Sequence, residues 1–156
     1  RQTKAAKALA DAPMKRQAAL IPFSREHHDA LSYARQAVAA CQGQHADTVR
    51  LRTLALWDSS IAAHLATEEA SLLPALAAAG AGDEAARAFA QHQQLRQLVA
   101  RLRDGEPDAL AEWGEAMREH VRYEERVLFP LAQRLLDLDA LANTLNRPST
   151  LPTVSI

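Results

Sequence analysis

Two stretches of the chain repeat one set of tryptophan, histidine, glutamate and proline residues. Each member of the second set lies 56 positions after its counterpart in the first, as His120 does after His64. The chain has only two tryptophans, and each lies seven residues before a His-x-x-x-Glu sequence. The spacing therefore indicates a functional element that occurs twice. The two sets are Trp57, Ile61, His64, Glu68, Glu69, Leu72 and Pro74, and Trp113, Met117, His120, Glu124, Glu125, Leu128 and Pro130.

Helical geometry gives this spacing a chemical meaning. Residues four apart lie on one face of a helix and about 6 Å apart along its axis, so an imidazole and a carboxylate can reach the same small volume. A single pair of this kind is usually exposed, but both pairs here share a face with apolar residues. Buried carboxylates without compensating charge are costly. Two such pairs facing each other across a core predict cations between them, while the prolines, ten residues after each histidine, are expected to bend or end their helices.

The elements that carry these residues are predicted to be four helices, without any strand. Helical periodicity and glycine or proline breaks separate them, and the short connections predict an all-α, antiparallel up-down-up-down four-helix bundle. The domain is assigned to residues 20–142, with an N-terminal extension at 1–19 and a C-terminal tail at 143–156 that is expected to lie on the surface or be disordered. The predicted helices run from Ser24 as N-cap to Cys41, from Asp47 to Ala79, from after Asp83 to Arg103, and from Glu106-Pro107 to about Leu138.

The first and third helices are expected to supply the remaining ligands, since each carries histidine. On the third helix, His92 shares an apolar face and is interpreted as a ligand. On the first, the apolar surroundings favour His27, whereas the face of His28 is more polar, and both remain candidates. The glutamates at 69 and 125 are expected to lie off the central face, as solvated charges or as hydrogen-bond partners of the ligands.

Together these residues resemble a hemerythrin-like (HHE cation-binding) domain over about residues 20–138. The resemblance rests on Arg25-Glu26-His27-His28, His64-x-x-x-Glu68-Glu69 with Pro74, His92, and His120-x-x-x-Glu124-Glu125 with Leu128-Phe129-Pro130. It implies a non-haem centre of two iron ions, oxo- or hydroxo-bridged. Manganese and zinc also suit a ligand set of imidazole and carboxylate without thiolate. The implied ligands are His27 or His28, His64, His92 and His120, with Glu68 and Glu124 as bridges.

The third helix departs from the oxygen-carrying members of that family. They carry a second histidine four residues after the first, whereas this chain has Arg96 four residues after His92. Four histidines and two bridging carboxylates leave an open position on both irons, which favours reaction with oxygen, peroxide or nitric oxide for sensing, storage or detoxification over simple transport. The alternatives are a regulatory or interaction module with a structural or sensory metal, and an iron donor that repairs other metal centres. Whether the chain is an enzyme stays undecided.

Composition narrows the remaining possibilities. At 156 residues with 48% hydrophobic side chains, the chain is expected to form one domain, and a net charge of −1 predicts neither nucleic acid nor membrane as partner. The single cysteine, Cys41, cannot form an internal disulfide, so a cytoplasmic location is expected. The predicted partner is a small diatomic or peroxide ligand, and the chain is compatible with a homo-oligomer. Met14 is a candidate natural start after residues foreign to the protein.

Overall fold

The computed structural model describes residues 15–40 and 45–145, and in this part of the chain every regular element is helical. None of the described helices is long and apolar enough to cross a membrane. A 3₁₀ turn comes first, and α2 and α4 are each built of consecutive segments without a break. The elements are the turn Ala18–Leu20, α1 at Ile21–Ala39, α2 at residues 46–78, α3 at Gly82–Arg103, α4 at residues 109–135, and α5 at Leu138–Leu145.

Helices α2 and α4 each contain a π turn just before a proline and continue beyond it. The π turns cover Glu68–Leu72 and Glu124–Leu128 and are closed by bonds from the residue five positions on, at Leu73 and Phe129. Each proline directly follows one of those residues, and both helices then continue, to Ala78 and Leu135. The prediction that the prolines could end their helices is therefore wrong. A widened turn makes room for a ring that would otherwise meet the preceding carbonyl.

Glycines end α2 and α3 where the sequence predicts a break. Gly80 and Gly105 have φ of +93° and +76°, which a residue with a Cβ rarely adopts. At the end of α2, Ala81 N–H donates to the carbonyl of Leu76, and at the end of α3 the same bond runs from residue 106 to residue 101. These bonds satisfy carbonyls that the helix ends leave free. The two boundaries were therefore readable from glycine alone.

Other boundaries differ from the sequence prediction. The first helix begins at Ile21 with Pro22 in its first turn, so Ser24 lies inside the helix and is not its N-cap. The last long helix begins at Ala109, after Pro107, and ends at Leu135. The additional helix Leu138–Leu145 was not predicted and runs past the assigned domain boundary at 142. Cys41, the proposed start at Met14 and the tail after residue 145 lie outside the described residues.

Two hydrophobic cores fill the interior, here called the Trp core, around Trp57 and Trp113, and the Phe core, around Phe23 and Phe129. Each of α1 to α4 contributes to both. Along the chain, α1 and α3 pass from the Phe core to the Trp core, whereas α2 and α4 pass from the Trp core to the Phe core. The buried histidines and glutamates of each helix lie in the stretch where it passes from one core to the other, whereas the buried Thr53 lies at the Trp-core end of α2. A polar layer therefore separates two apolar ones.

Close packing of α1 on α4 depends on Gly114. A Cβ at this position would lie 2.7 Å from the carbonyl oxygen of Ala34 and 2.8 Å from Cγ2 of Val38, and a backbone oxygen cannot move aside cheaply. We expect Gly114→Ala to lower the free energy of unfolding by about 1–2 kcal/mol, because overpacking outweighs the better helix propensity of alanine. Urea unfolding measures this change. Gly82→Ala is the control, since nothing lies within 4 Å of its Cβ, and equal stability of the two variants would contradict the expectation.

Candidate metal centre

Six polar side chains are buried between the two cores, and they are the residues that the sequence analysis singled out. Exposure ranges from 0% for both glutamates to 7% for His64. His27 belongs to the buried set, whereas the side chain of His28 is exposed and is not brought to the cluster. The structure thus selects between the two neighbours on α1. The buried set is His27, His64, Glu68, His92, His120 and Glu124.

The six side chains form two groups that share both carboxylates. In each group, four candidate ligand atoms all lie within 4.8 Å of one another, and each group could hold a metal ion. Two histidines and the two shared glutamates make up each group, so the ligand sets are chemically equal. We call the groups site I, made of His27, His64, Glu68 and Glu124, and site II, made of Glu68, His92, His120 and Glu124.

Glu68 points one oxygen at each site. Its Oε1 lies 2.5 Å from His64 Nε2 of site I, and its Oε2 lies 3.1 Å from His92 Nε2 of site II. The carboxylate of Glu68 is fully buried, so water cannot compensate its charge. One oxygen directed to each side is the arrangement by which a carboxylate bridges two cations.

Glu124 repeats this arrangement with the other two histidines. Its Oε2 lies 3.1 Å from His27 Nε2 in site I, and its Oε1 lies 2.8 Å from His120 Nε2 in site II. The His-x-x-x-Glu spacing thus places each histidine beside the glutamate of its own helix, as helical geometry predicts. The first copy of the 56-residue repeat therefore supplies a histidine to site I, and the second copy supplies a histidine to site II.

Most close contacts in the two sites lack hydrogen-bond geometry, and the exception is Nε2 of His92, which lies 3.4 Å from Oε1 of Glu124. The Nε2 atoms of His27, His64 and His120, both oxygens of Glu68 and Oε2 of Glu124 are buried without a hydrogen-bond partner. Unpartnered buried polar atoms are rare and costly. Ligand atoms bound to one metal at about 2.1 Å and at right angles lie roughly 3 Å apart, which is the separation seen here. The donor set and the orphaned atoms therefore fit a pair of metal ions.

The outward nitrogens of three histidines are held by side chains from neighbouring helices. Nδ1 of His64 lies 2.7 Å from Glu26, that of His27 lies 2.8 Å from Glu125, and that of His120 lies 2.8 Å from Gln91. Donation from Nδ1 leaves Nε2 free to accept, so these bonds select the tautomer that a metal requires.

Beside the fourth histidine, His92, Arg96 orients the carboxylate of Glu69 and does not contact the ring itself. Its guanidinium contacts both oxygens of Glu69, at 2.9 and 2.5 Å, while Oε2 of that glutamate lies 3.5 Å from Nδ1 of His92. The hydrogen bonds from Arg96 hold the pKa of Glu69 below its usual range. The residue that stands in place of a second histidine on α3 therefore keeps an ionised carboxylate beside His92.

Several residues of this outer layer were not found from the sequence. Glu26 and Gln91 directly precede His27 and His92, but a residue one position before a ligand cannot face the same way on its own helix. Arg16, in the stretch assigned to an N-terminal extension, binds Glu125 at 2.8 Å. The only sequence feature that pointed to Glu26 and Gln91 is that each directly precedes a candidate ligand. Glu69 and Glu125, by contrast, are the hydrogen-bond partners that the sequence analysis offered as one of two possibilities.

Charges within the metal-free cluster compensate one another. Burial opposes protonation of three histidines, but hydrogen bonds with carboxylates outweigh it and raise the pKa of His27 to about 9, of His64 to about 10 and of His92 to about 9. Burial likewise opposes ionisation of Glu124, yet the neighbouring histidines, His120 foremost, hold its pKa well below the usual range. Imidazolium groups thus take the place of metal cations next to the buried carboxylates.

We expect the metal-free protein to lose stability as the pH rises from about 6.5 towards 10. A histidine whose pKa is raised in the folded state contributes stability that is present below the unfolded value of 6.5 and is lost as the pH rises through about 9 to 10. Denaturant unfolding of chelator-treated protein at pH 6.5 and 9 measures the change. The metal-loaded protein is the control, because a metal keeps these imidazoles neutral. Equal stability of the metal-free protein at both pH values would contradict this expectation.

Two cavities adjoin site I. One, of about 10 Å³, is lined by apolar side chains, by three histidines and by Glu26, and it has room for roughly one water-sized molecule. The other is a surface pocket of about 490 Å³ that reaches Glu26 and His64 from the solvent side. Its far wall includes Asp139 and Ala142 of α5, so the unpredicted helix borders the approach to the site.

The fold and the cluster define an all-helical protein with a buried histidine–carboxylate centre suited to two cations. Comparison with known families agrees: the hemerythrin HHE cation-binding domain matches residues 20–132. The match covers most of the chain, and the chain belongs to the hemerythrin HHE cation-binding family. No curated protein and no solved structure matches the chain.

Proposed function

We propose that this chain binds two iron ions, one in each site, and reacts through them with oxygen, peroxide or nitric oxide. The observation that carries the proposal is the sharing of Glu68 and Glu124 between two equal ligand sets, with three of their four oxygens and three histidine Nε2 atoms otherwise unpartnered. Family membership supports a metal role, and the absence of thiolate from the ligand sets suits iron better than a soft metal.

The arrangement of the helices that hold these ligands is part of the proposal. Helices α1 to α4 would form an up-down-up-down four-helix bundle, because successive helices cross the two cores in opposite order. Such a bundle presents inward-facing side chains from all four helices to one point. Each helix then contributes one histidine from the stretch between its two apolar layers, and α2 and α4 each add a carboxylate.

Four protein ligands per ion leave coordination positions for an external molecule. Bound iron would supply one-electron chemistry toward oxygen, peroxide or nitric oxide. The cavity beside His27, His64 and His120 supports a small ligand, because its volume of about 10 Å³ excludes anything much larger than a diatomic molecule. Its apolar lining favours a neutral ligand over an ion.

Different residues of the chain would neutralise the charge of the metal ions, bind them and orient their ligands. Glu68 and Glu124 neutralise two positive charges in a region without water, and the four Nε2 atoms complete both ligand sets. Glu26, Glu125 and Gln91 fix three rings through their Nδ1 atoms. Arg96 pairs with Glu69 and supplies no further imidazole, so site II has two histidines, as site I does. Equal ligand counts favour reaction or sensing over reversible carriage.

Elemental analysis of aerobically purified protein, together with its optical spectrum, tests the proposal. We expect two irons per chain and near-ultraviolet and visible charge-transfer bands that change on addition of azide or nitric oxide. The exposed neighbour variant His28→Ala should match the wild type in both measurements. Iron-replete protein without such bands, and without any response to oxygen, peroxide, azide or nitric oxide, would contradict the proposed reactivity.

A further inference from the structure

In both sites the residue directly before one ligand accepts a hydrogen bond from the histidine of the neighbouring helix, and the two acceptors differ in charge. In site I, Glu26 directly precedes the α1 ligand and reaches across to Nδ1 of His64, at 2.7 Å. In site II, Gln91 directly precedes the α3 ligand and reaches across to Nδ1 of His120, at 2.8 Å. The two bonds are equivalent in place and length. They differ only in that one acceptor is a carboxylate and the other a neutral amide.

The remaining outer carboxylates give the two sites equal net charge, although Nδ1 of His27 is hydrogen-bonded to Glu125 at 2.8 Å, whereas Nδ1 of His92 lies 3.5 Å from Glu69 without a hydrogen bond. Glu125, which holds the α1 histidine, is paired with Arg16 at 2.8 Å, and Glu69, beside the α3 histidine, is paired with Arg96 at 2.5 Å. Each site thus has one outer glutamate compensated by one arginine. Among the described residues, the only ion pair of Glu26 is with His64. One uncompensated negative charge therefore belongs to site I and none to site II.

We propose that Glu26 makes site I the stronger of the two cation sites, so that the first divalent ion binds there, and that Gln91 keeps site II weaker. This inference rests on the proposed two-metal centre and assigns the order in which its two sites bind metal ions. An imidazole that donates Nδ1–H to a carboxylate is a stronger base at Nε2 than one that donates to an amide. The ligand sets themselves are identical in composition, so the difference arises in this outer layer.

The hydrogen bond from His64 to Glu26 contributes more to the difference in metal affinity between the two sites than the long-range field of the Glu26 charge does. The side chain of Glu26 is 46% exposed, and solvent weakens its field at the metal position. Its hydrogen bond to a histidine that is 5% exposed is retained. Replacing an outer partner of this kind typically lowers metal affinity 10–100-fold. Since an amide retains one hydrogen bond, we expect about a tenfold difference at the low end of that range.

The order of filling is measured with cobalt(II), which requires no reaction of the centre. Metal-free protein receives one equivalent of Co²⁺, and anomalous diffraction at the cobalt edge gives the occupancy of each site. Competition with a chelator in solution gives the two stepwise affinities. In the wild type we expect cobalt mainly in site I. Glu26→Gln should lower the occupancy of site I relative to site II, and the double exchange Glu26→Gln with Gln91→Glu should move cobalt to site II.

Asp29→Asn is the matched control. Asp29 is exposed on the same helix and lies in neither site, so this variant removes the same charge without removing the hydrogen bond. We expect it to fill site I first, as the wild type does. Equal filling of the wild type, or an order that the double exchange leaves unchanged, overturns the inference alone. A wild-type chain that binds no ion at all overturns the proposed function as well.

Discussion

Replacing Glu124 by alanine is expected to remove both metal ions from the chain. Glu124 directs Oε2 to site I and Oε1 to site II, so one substitution takes a ligand and a neutralising charge from each. The sites then share a single carboxylate in a buried layer, where two divalent ions would be poorly compensated. Metal content should fall from two ions per chain towards none, measured by elemental analysis after gel filtration.

Two comparisons separate bridging from a general effect of charge. Glu125→Gln removes the adjacent carboxylate, which contacts His27 but belongs to neither site, and we expect two ions with roughly 10–100-fold weaker binding. His64→Ala affects site I alone and should leave one ion, in site II. Retention of two ions by Glu124→Ala, or loss of both ions from His64→Ala with site II intact, would contradict the shared-carboxylate arrangement.

Removal of the metals is expected to cause the second large effect, a fall in thermal stability. An ion that binds only the folded chain adds about 4 kcal/mol when its free concentration is a thousand times its dissociation constant. Two ions at that level add roughly 8 kcal/mol, or on the order of 15–30 °C in melting temperature for a chain of this size. Calorimetry of protein with and without a chelator measures the shift.

The variant Glu124→Gln shows whether the metal is the cause. It keeps the shape of the side chain but lacks a buried charge, so its melting temperature should not respond to the chelator. In the metal-free state near neutral pH it should be less stable than the wild type, because the substitution leaves the neighbouring imidazolium groups without the buried carboxylate that compensates them. A chelator effect of equal size in both proteins would show that the stabilising ion binds elsewhere.

The first half of the centre was predictable because its geometry is local. On α2 and α4, the four-residue spacing alone places His64 beside Glu68 and His120 beside Glu124, whatever the rest of the chain does. Gly80 likewise marks the end of its helix, because its φ is accessible mainly to glycine. The all-helical class and the family followed from such local features, and the family match at residues 20–132 confirms the recognition.

The predicted helix ends at Ala79 and about Leu138 already lay beyond the two prolines, but the π turns that accommodate those prolines were not predictable in the same way. A proline after an apolar run commonly ends a helix, and the sequence has no mark that distinguishes a π turn from a helix end. Here the helices continue because the residues after Pro74 and Pro130 remain buried in the Phe core, with Leu76 and Ala132 fully covered. Burial of this last turn stabilises the continued helix.

The repeated histidine–glutamate pattern by itself determined that α2 and α4 each offer one histidine and one carboxylate to a common centre. Tertiary structure decided which side chains join them. Neighbours on a helix point about 100° apart, so only the packing of α1 makes His27 buried and His28 exposed. Packing also places Glu26 on His64 and Gln91 on His120, across gaps between helices that no spacing within one helix encodes. The difference between the two otherwise equal sites therefore depends on contacts that exist only in the folded chain.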